Sequence, residues 1–335
     1  MIIHKNLFAT ERLFYDFLAS HNHPLHKEIN YDTEVFHLLK CPSGKFGDAR
    51  YKFYRTGNGY LKCWKCQVEA KFFARKQCGA PQIQRLDTTI ADASKKIYAQ
   101  ETQKRYAEKA EVAKAIFSAA SEYASAHNYL RLKQVSNYGL RVLAYENEAT
   151  KKGKCYRGTL LVPCYDINNN LVNLERIYFH WKEKAFQKRP LSGAQRTGAF
   201  YVIGKITKSN DVIYFAEGYS TAAIIYEATN YPTVVTFNCR NLVHVAQAIY
   251  GRYSQLKIII ACDRDSDQSG EIHAKKATEL VNGEYVLPDF SAIPNKLRPD
   301  IKRSDFNDLF VLLMMNGLNR TAALSKVQQQ IQKKL

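Results

Sequence analysis

The sequence contains no run of about 18 consecutive apolar residues, the length that a helix needs to cross a bilayer, so we expect no membrane span. Its first residues lack the long apolar core and the cleavage site of a secretory signal. The nucleotide-binding pattern G-x-x-x-x-G-K-[S/T] also occurs nowhere, which argues against a nucleotide-driven motor on this polypeptide. Together these absences predict a cytoplasmic protein without a motor of its own.

Acidic residues are few compared with basic ones. The 335 residues include 49 Lys and Arg but only 31 Asp and Glu, which gives a formal charge of +18. Such a surplus suits a polyanionic partner. The 22 Tyr and 17 Phe that accompany the basic residues favour nucleic acid over the alternative, a basic surface that only keeps the protein soluble.

Glycine and proline are absent from residues 83 to 138. Small apolar residues at spacings of three and four within this stretch predict one or two amphipathic helices that connect an N-terminal unit to the rest. The length of the chain predicts two or three domains. Eight Cys in a chain without a secretory signal predict free thiols and metal ligands rather than disulfides.

An apolar segment of the second half ends in a cluster of acidic residues. Residues 258–262, Ile-Ile-Ile-Ala-Cys, form a predicted buried strand that stops at Asp263, Asp265 and Asp267. Three carboxylates close together repel one another unless a cation lies among them, and a hard cation such as Mg²⁺ prefers oxygen ligands. The alternative is a solvated acidic turn that caps the following helix.

A second apolar strand, residues 212–216, ends at Glu217 and Gly218. Strands alternate here with helices of about a dozen residues, which is the pattern of a parallel sheet with crossover helices. Because parallel strands point the same way, Glu217 and the Asp cluster are expected to meet at one edge of the sheet. Such a convergence suits metal-assisted phosphoryl chemistry.

The order Glu217-Gly218 and then Asp263-Arg264-Asp265 resembles the Toprim domain, which bacterial-type primases, topoisomerases and some nucleases share. Residues 304–309, SDFNDL, resemble the motif that closes this domain in plasmid and phage primases. Three upstream segments resemble further motifs of these primases: 127–141, 160–166 and 193–204. The ordered set selects a primase over a topoisomerase.

The resemblance implies nucleotidyl transfer, in which a 3′-hydroxyl attacks the α-phosphate of a ribonucleoside triphosphate and pyrophosphate leaves. The acids would hold Mg²⁺ or Mn²⁺ as the catalytic cofactor. The implied metal ligands are Asp263, Asp265, Asp305 and Asp308. Glu217 would act either as a further ligand or as the proton acceptor, and Asp267 either as an outer ligand or as a helix cap.

Basic residues between 129 and 210 would hold the template and the nucleotide in the primases that this segment resembles. The candidates by motif position are Arg176, Lys188, Arg189 and Arg196. Arg176 has an alternative interpretation as an ordinary surface residue of a strand. Arg196 lies inside the matched segment 193–204.

The first 80 residues resemble the zinc ribbon at the N-terminus of bacterial-type primases. Gly57-Asn58-Gly59 predicts a hairpin turn, and Cys63 and Cys66 at the exit of the hairpin form a usual zinc half-site. Cys41 would begin the other half of the site.

The remaining zinc ligand departs from the family pattern, because Ser43 and Gly44 occupy the places of the second ligand. His37 is the predicted fourth ligand, so the predicted Zn²⁺ site is His37, Cys41, Cys63 and Cys66. Cys78 is the reserve, and Asp48 is a harder, less suitable donor. The alternative is a ribbon without metal, whose cysteines pack as small apolar residues.

The predicted fold class is α/β, or α+β overall, in five parts. They are a zinc-ribbon-like β domain (1–80), a helical connector (81–128), a basic primase subdomain (129–210), a Toprim catalytic domain with a Rossmann-like parallel sheet (211–310) and a C-terminal helix (311–335).

The predicted function is a DNA primase that makes short RNA primers on a single-stranded DNA template from ribonucleoside triphosphates. A separate replicative helicase would be a further partner. The alternatives are a Toprim nuclease and a single-stranded nucleic-acid-binding protein without catalysis, and a DNA rather than an RNA product stays open.

Overall fold

The computed structural model forms two compact units, 1–100 and 101–335, which are described separately. The residues that it describes are 2–25, 37–44, 46–54, 58–73, 84–207, 209–264, 268–294, 296–298 and 300–334. Across these ranges, no helix combines the length and the apolarity needed to cross a membrane.

The first unit contains a helix and a four-stranded antiparallel sheet. The helix is α1 (Ile2–Ser20), and the strands are β1 (His37–Lys40), β2 (Phe46–Phe53), β3 (Asn58–Cys63) and β4 (Glu69–Phe73), in the order β1-β2-β3-β4. Phe14 of α1 packs its ring 4.4 Å from Phe53 and 5.3 Å from Phe72. Gly59 of β3 lies directly under Phe14, where a Cβ would collide with that ring. The sequence analysis did not predict α1.

Most of the stretch without glycine and proline forms one long helix, α2 (Gln84–Ala119). Ala113 and Ile116 near its C-terminal end are buried against Leu161 and Leu174 of the following sheet. The helix therefore covers one face of that sheet.

After the end of α2, the second unit continues with two short helices and an antiparallel sheet. The helices are α3 (Asn128–Lys133) and α4 (Glu148–Lys152), and the strands are β5 (Arg141–Val142), β6 (Leu160–Tyr165), β7 (Leu171–His180) and β8 (Ala185–Pro190), in the order β5-β6-β7-β8. Alternate side chains point to opposite faces. Leu161 and Leu174 face α2, whereas Leu160 and Ile177 face the core of the next sheet.

A five-stranded sheet follows, with helices on both of its faces. Its strands are β9 (Tyr201–Ile203), β10 (Val212–Ala216), β11 (Thr233–Val235), β12 (Lys257–Ala261) and β13 (Glu284–Val286), and the helices are α5 (Tyr219–Thr229), α6 (Cys239–Arg252), α7 (Ser269–Val281), α8 (Phe306–Met315) and α9 (Arg320–Ile331). The order is β13-β12-β10-β11-β9, and only β9 runs antiparallel to its neighbour. The predicted α/β fold class is confirmed, including a largely parallel sheet formed by β9 to β13.

The connections place the reversal of strand order beside β10. The chain leaves β10 through α5 to β11 on one side and returns through α6 to β12 on the other side. Ligands of open α/β sheets bind at the carboxyl ends of the strands at such a reversal. The residues that follow β10 and β12 therefore occupy the place where this architecture forms a site.

A buried hydroxyl joins α5 to the loop after α3. Tyr219 is fully buried, and its hydroxyl accepts a hydrogen bond from the Tyr138 amide at 2.8 Å and donates one to the Ser136 carbonyl at 2.9 Å. We expect Tyr219→Phe to lower the free energy of unfolding by about 1–3 kcal/mol, because both backbone groups lose their partner. Urea unfolding measures this change, with Tyr123→Phe as the control, since Tyr123 is 92% exposed. Equal stability of the two variants would contradict the prediction.

Candidate active site and metal-binding cluster

The first two acids of the site are aligned by the register of adjacent parallel strands. Ala216 at the end of β10 pairs with Ala261 at the end of β12. Glu217 and Asp263 follow these partners by one and two residues, and adjacent strands lie about 4.8 Å apart. Both side chains are half-buried. The sheet therefore places Glu217 and Asp263 after neighbouring strand ends at one edge, whereas Asp265 and Asp267 lie outside the described residues.

A backbone hydrogen bond brings the third acid to the same edge. The amide of Arg264, directly after Asp263, donates to the Ser304 carbonyl at 2.7 Å. Asp305 follows as the N-cap of α8, and its carboxylate accepts from the Asp308 amide at 2.8 Å. The predicted residue Asp305 is therefore held next to the end of β12 by the start of a helix.

Asp308 is engaged on both of its carboxylate oxygens. One accepts from the Lys133 ammonium at 3.2 Å, and the other accepts from the Ser304 hydroxyl at 2.9 Å. Only 7% of the Asp308 side chain is exposed. Asn307 reinforces the contact by donating to the Lys133 carbonyl at 2.8 Å. This geometry gives Asp308 a role in fixing α3 to α8, and its role as a metal ligand stays a prediction.

The electrostatics at Asp305 favour a bound cation. Burial raises the pKa of the Asp305 carboxyl, and the neighbouring Asp308 carboxylate raises it further. The nearby charges of Lys133 and Lys188 act in the opposite direction. The carboxylates of Glu217, Asp263 and Asp305 are the oxygen donors that Mg²⁺ or Mn²⁺ prefers, so this set of residues fits a divalent ion.

Lys188 is the predicted basic residue that reaches the acids. Its ammonium lies 3.2 Å from the position that a Cβ on Gly218 would take, and 5.8 Å from the centre of the Tyr129 ring. Tyr129 raises the pKa of Lys188 most, burial opposes this, and Glu175 and Asp305 raise it further. The ammonium therefore stays charged close to Glu175 and Asp305, and Gly218 leaves the room for it.

A carboxyl that the sequence analysis missed lies beside Lys188. Glu175 on β7 is 7% exposed, and burial raises its pKa to about 7. Lys188 lowers this pKa, Glu217 raises it, and Arg196 lowers it. The available signal was its position in an apolar strand, in phase with the buried Ile177.

The register of β7 and β8 separates three of the four basic candidates. Arg176 pairs with Arg189 and Ile177 pairs with Lys188, so the two arginines lie on the face opposite to Lys188. The Arg176 guanidinium donates at 2.8 Å to the carbonyls of Gly153, Lys154 and Pro190. These backbone bonds agree with the alternative interpretation of Arg176 as a structural residue of a strand, and its role in binding template or nucleotide stays a prediction. Arg196 is exposed, and its charge lowers the pKa of Glu175.

His127 serves as a helix cap rather than as an acid or base. Its Nδ1 accepts from the Tyr129 amide at 3.1 Å, and its Nε2 donates to the Gly158 carbonyl at 2.9 Å. The contact in which Nδ1 accepts requires the neutral ring, in agreement with the pKa of His127, which burial lowers. The cap fixes the start of α3, which carries Tyr129 and Lys133.

The first unit holds four groups that can bind a metal ion. His23, Cys41, Cys63 and Cys66 each offer one ligand atom, and these atoms lie within 4.8 Å of one another. The Nδ1–H of His23 donates to the His21 carbonyl at 2.6 Å, which leaves the lone pair of Nε2 for the cluster. Three sulfurs and one imidazole are a usual tetrahedral zinc donor set, so the residues fit Zn²⁺.

The thiols of this cluster interact strongly. Burial raises the pKa of Cys63, but hydrogen bonds from Cys66, His23 and Cys41 outweigh burial and bring it to about 6. Burial raises the pKa of Cys41. Cys63 is therefore the group that is ready to bind a metal as a thiolate near neutral pH.

The structure corrects the fourth ligand, because His23 and not His37 joins the cysteines. His37 starts β1, and four residues of strand separate it from Cys41 by about 13 Å. Its ring packs against Tyr51 at 5.4 Å. His23 arrives from the chain after α1, which no local spacing indicates. Asp48 does not belong to the cluster, and Cys78 lies outside the described residues.

Comparison with known proteins identifies the domain that residues 212–313 form. Residues 212–313 match the family model described as the Toprim domain, so this part of the chain is a Toprim domain. Two curated Escherichia coli proteins, both called DNA primase TraC, are 27% identical to this chain over 151 residues and 28% identical over 123 residues. These matches cover 41% and 34% of this chain but only 14% and 8% of those proteins. They confirm the resemblance that the motifs predict.

Solved structures with similarity to this chain include two primases. One comprises the zinc-binding and RNA polymerase domains of the Aquifex aeolicus primase, with 13% identity, a TM-score of 0.39 and coverage of 97% of this chain and 96% of that one. The other is the RNA polymerase domain of Mycobacterium tuberculosis primase DnaG in complex with a DNA oligomer, with 15% identity, a TM-score of 0.43 and coverage of 68% and 80%.

The contact between Lys133 and Asp308 makes a prediction about stability. We expect the double-mutant cycle of Lys133→Met and Asp308→Asn to give a coupling free energy of about 1–3 kcal/mol, because the pair is largely buried. The same cycle on the exposed pair of Lys114 and Glu111, 2.8 Å apart, should give less than about 1 kcal/mol. Thermal or urea unfolding measures both cycles. A coupling near zero between Lys133 and Asp308 would rule out their role in joining α3 to α8.

Proposed function

We propose that this chain is a DNA primase that synthesises primers on single-stranded DNA by metal-dependent nucleotidyl transfer. The observation that carries the proposal is the meeting of Glu217, Asp263 and Asp305 at the strand-order reversal of a Toprim domain, with the Lys188 ammonium beside them. The similarity to DNA primase TraC supports the same activity, although this chain spans a small part of those proteins.

The acids have complementary tasks in this proposal. Asp263 and Asp305 supply carboxylate oxygens for one or two Mg²⁺ or Mn²⁺ ions, together with Asp265 outside the described residues. Glu217 acts either as a further ligand or as the acceptor of the proton from the attacking 3′-hydroxyl. When bound, the metal stabilises the charge that develops on the α-phosphate and on the leaving pyrophosphate. Asp308 positions this set through Lys133.

The basic residues bind the anionic substrates. Lys188 faces the acids and stays charged, so it is placed to contact the triphosphate of the incoming nucleotide. Arg196 is exposed near the same face and is suited to a phosphate of the template or of the nucleotide. Each phosphate contact releases counterions, so binding should weaken steeply with salt.

We also propose that the cluster of His23, Cys41, Cys63 and Cys66 binds a structural Zn²⁺. Trp64 lies between two of the cysteines, is 49% exposed and has the Arg50 guanidinium 5.0 Å from its ring centre. An exposed ring with a cation beside it suits a base and its phosphate, so this surface is a candidate contact for the template.

Primer synthesis tests the activity. We expect the protein to make a ladder of short products from labelled ribonucleotides on single-stranded DNA with Mg²⁺ or Mn²⁺, resolved on a denaturing gel. Asp263→Ala should abolish the ladder, and Glu217→Gln should reduce it by about 10²- to 10⁴-fold. Glu279→Gln, a change of an exposed acid in the same domain, should leave it intact.

A parallel reaction with deoxyribonucleotides identifies the sugar of the product. Shortening of the template without synthesis would replace the primase with a Toprim nuclease. An undiminished ladder from Asp263→Ala would contradict the site.

Metal analysis tests the zinc cluster. We expect one Zn²⁺ per chain, and we expect His23→Ala to release zinc to a chromogenic chelator at lower chelator concentrations than the unchanged protein does. His37→Ala is the matched control and should retain zinc as the unchanged protein does. The readout is zinc content by mass spectrometry and by chelator absorbance. Loss of zinc in His37→Ala with retention in His23→Ala would contradict the assignment.

A further inference from the structure

The hairpin of β7 and β8 ends in exposed aromatic side chains. Trp181 at the turn is 82% exposed, and Phe179 before it is 38% exposed. The two rings meet edge to face, with centroids 4.9 Å apart. Large aromatic groups that project into solvent mark interaction surfaces when they form a connected set.

These two rings are the outer end of an aromatic row formed by Trp181, Phe179, Phe186 and Tyr129. Phe179 lies 5.4 Å from Phe186, and Phe186 lies 5.4 Å from Tyr129. Exposure falls along the row, since Tyr129 at its inner end is only 2% exposed. The inner rings therefore form a buried support, and the outer rings form a surface.

The aromatic row leads to the acids. Phe179 pairs with Phe186 and Ile177 pairs with Lys188, so these side chains share the face of the hairpin that carries Glu175. The Lys188 ammonium lies over the Tyr129 ring at 5.8 Å and next to Gly218. A nucleic-acid strand whose bases stack on the outer rings would thus be directed toward Glu217.

The charges around the hairpin turn suit a polyanion. Lys182 and Lys184 are exposed on either side of Glu183. The Glu183 carboxylate is engaged by the Gln187 amide and lies 3.6 Å from the His180 ring. Two ammonium groups are therefore available beside Trp181, and the single acid of the turn has partners within the hairpin.

We propose that Trp181 and Phe179 form a base-stacking platform for single-stranded nucleic acid. The platform itself is argued from exposed rings flanked by cations, and the direction of the strand toward the acids rests on the proposed function. Base stacking on aromatic side chains tolerates any sequence, and Lys182 and Lys184 are placed to contact the flanking phosphates. Duplex DNA fits this platform poorly, because its bases are already stacked.

Tryptophan fluorescence gives a direct test. The chain has only two Trp, at positions 64 and 181, so Trp64→Phe leaves Trp181 as the single reporter. We expect a single-stranded oligo(dT) to quench this emission in a saturable manner that weakens with added salt. A blunt duplex of the same length should quench it much less. Absence of quenching by the single strand at saturating binding would overturn the proposal.

Affinity measurements provide the second test. Trp181→Ala should weaken binding of a fluorescent oligo(dT) by about 5- to 150-fold, the range expected for loss of one stacked base. Trp181→Phe should restore most of this affinity. Tyr123→Ala is the matched control, because Tyr123 is 92% exposed and lies outside the row. Equal affinities of Trp181→Ala and Tyr123→Ala would overturn the proposal.

The two proposals fail in different ways. Both binding measurements are repeated with the Glu217→Gln variant, because oligo(dT) binding can then be measured apart from primer synthesis. If oligo(dT) quenches Trp181 and Trp181→Ala weakens oligo(dT) binding, but the protein makes no primers, the result would support the platform and count against the primase. Primer synthesis with no effect of Trp181→Ala on affinity would do the opposite. If Trp181→Ala instead changed only the oligomeric state in gel filtration, the surface would bind a second copy, and the platform would be wrong.

Discussion

The repulsion among carboxylates at one edge of a parallel sheet is the constraint on which the rest of this structure depends. Parallel β10 and β12 bring Glu217 and Asp263 to the same edge, and the cap of α8 adds Asp305. Burial and the neighbouring Asp308 carboxylate both raise the pKa of Asp305, so the cluster needs positive charge to stay ionised. Fixed ammonium groups from Lys133 and Lys188 supply part of it.

The two fixed cations come from elements that precede the Toprim domain in the chain. Lys133 lies at the end of α3, whose start is set by the His127 cap, and it holds Asp308 in place. Lys188 lies on β8, and its position depends on the register with β7 and on the absence of a side chain at Gly218. The antiparallel sheet is therefore part of the site and does more than support it.

Several features could be predicted because they depend on local pattern. The apolar strands that precede Glu217 and Asp263 are adjacent and parallel as expected, and the stretch without glycine or proline is helical over most of its length. The predicted resemblance to Toprim primases is confirmed by the family match over 212–313 and by similarity to DNA primase TraC. Other residues could not be found in this way. Glu175 resembles any polar residue of a strand until the register places it beside Lys188.

The sequence by itself determined the alternation of strands and helices from β10 to α7, the acids that follow the strands and the three clustered cysteines, because periodicity and motif spacing are local properties. The tertiary structure alone decided that His23 completes the metal cluster, since a strand holds His37 about 13 Å from Cys41 while the end of α1 returns to it. It likewise separated Arg176 from Lys188, because a shift of one residue along a strand turns a side chain to the opposite face.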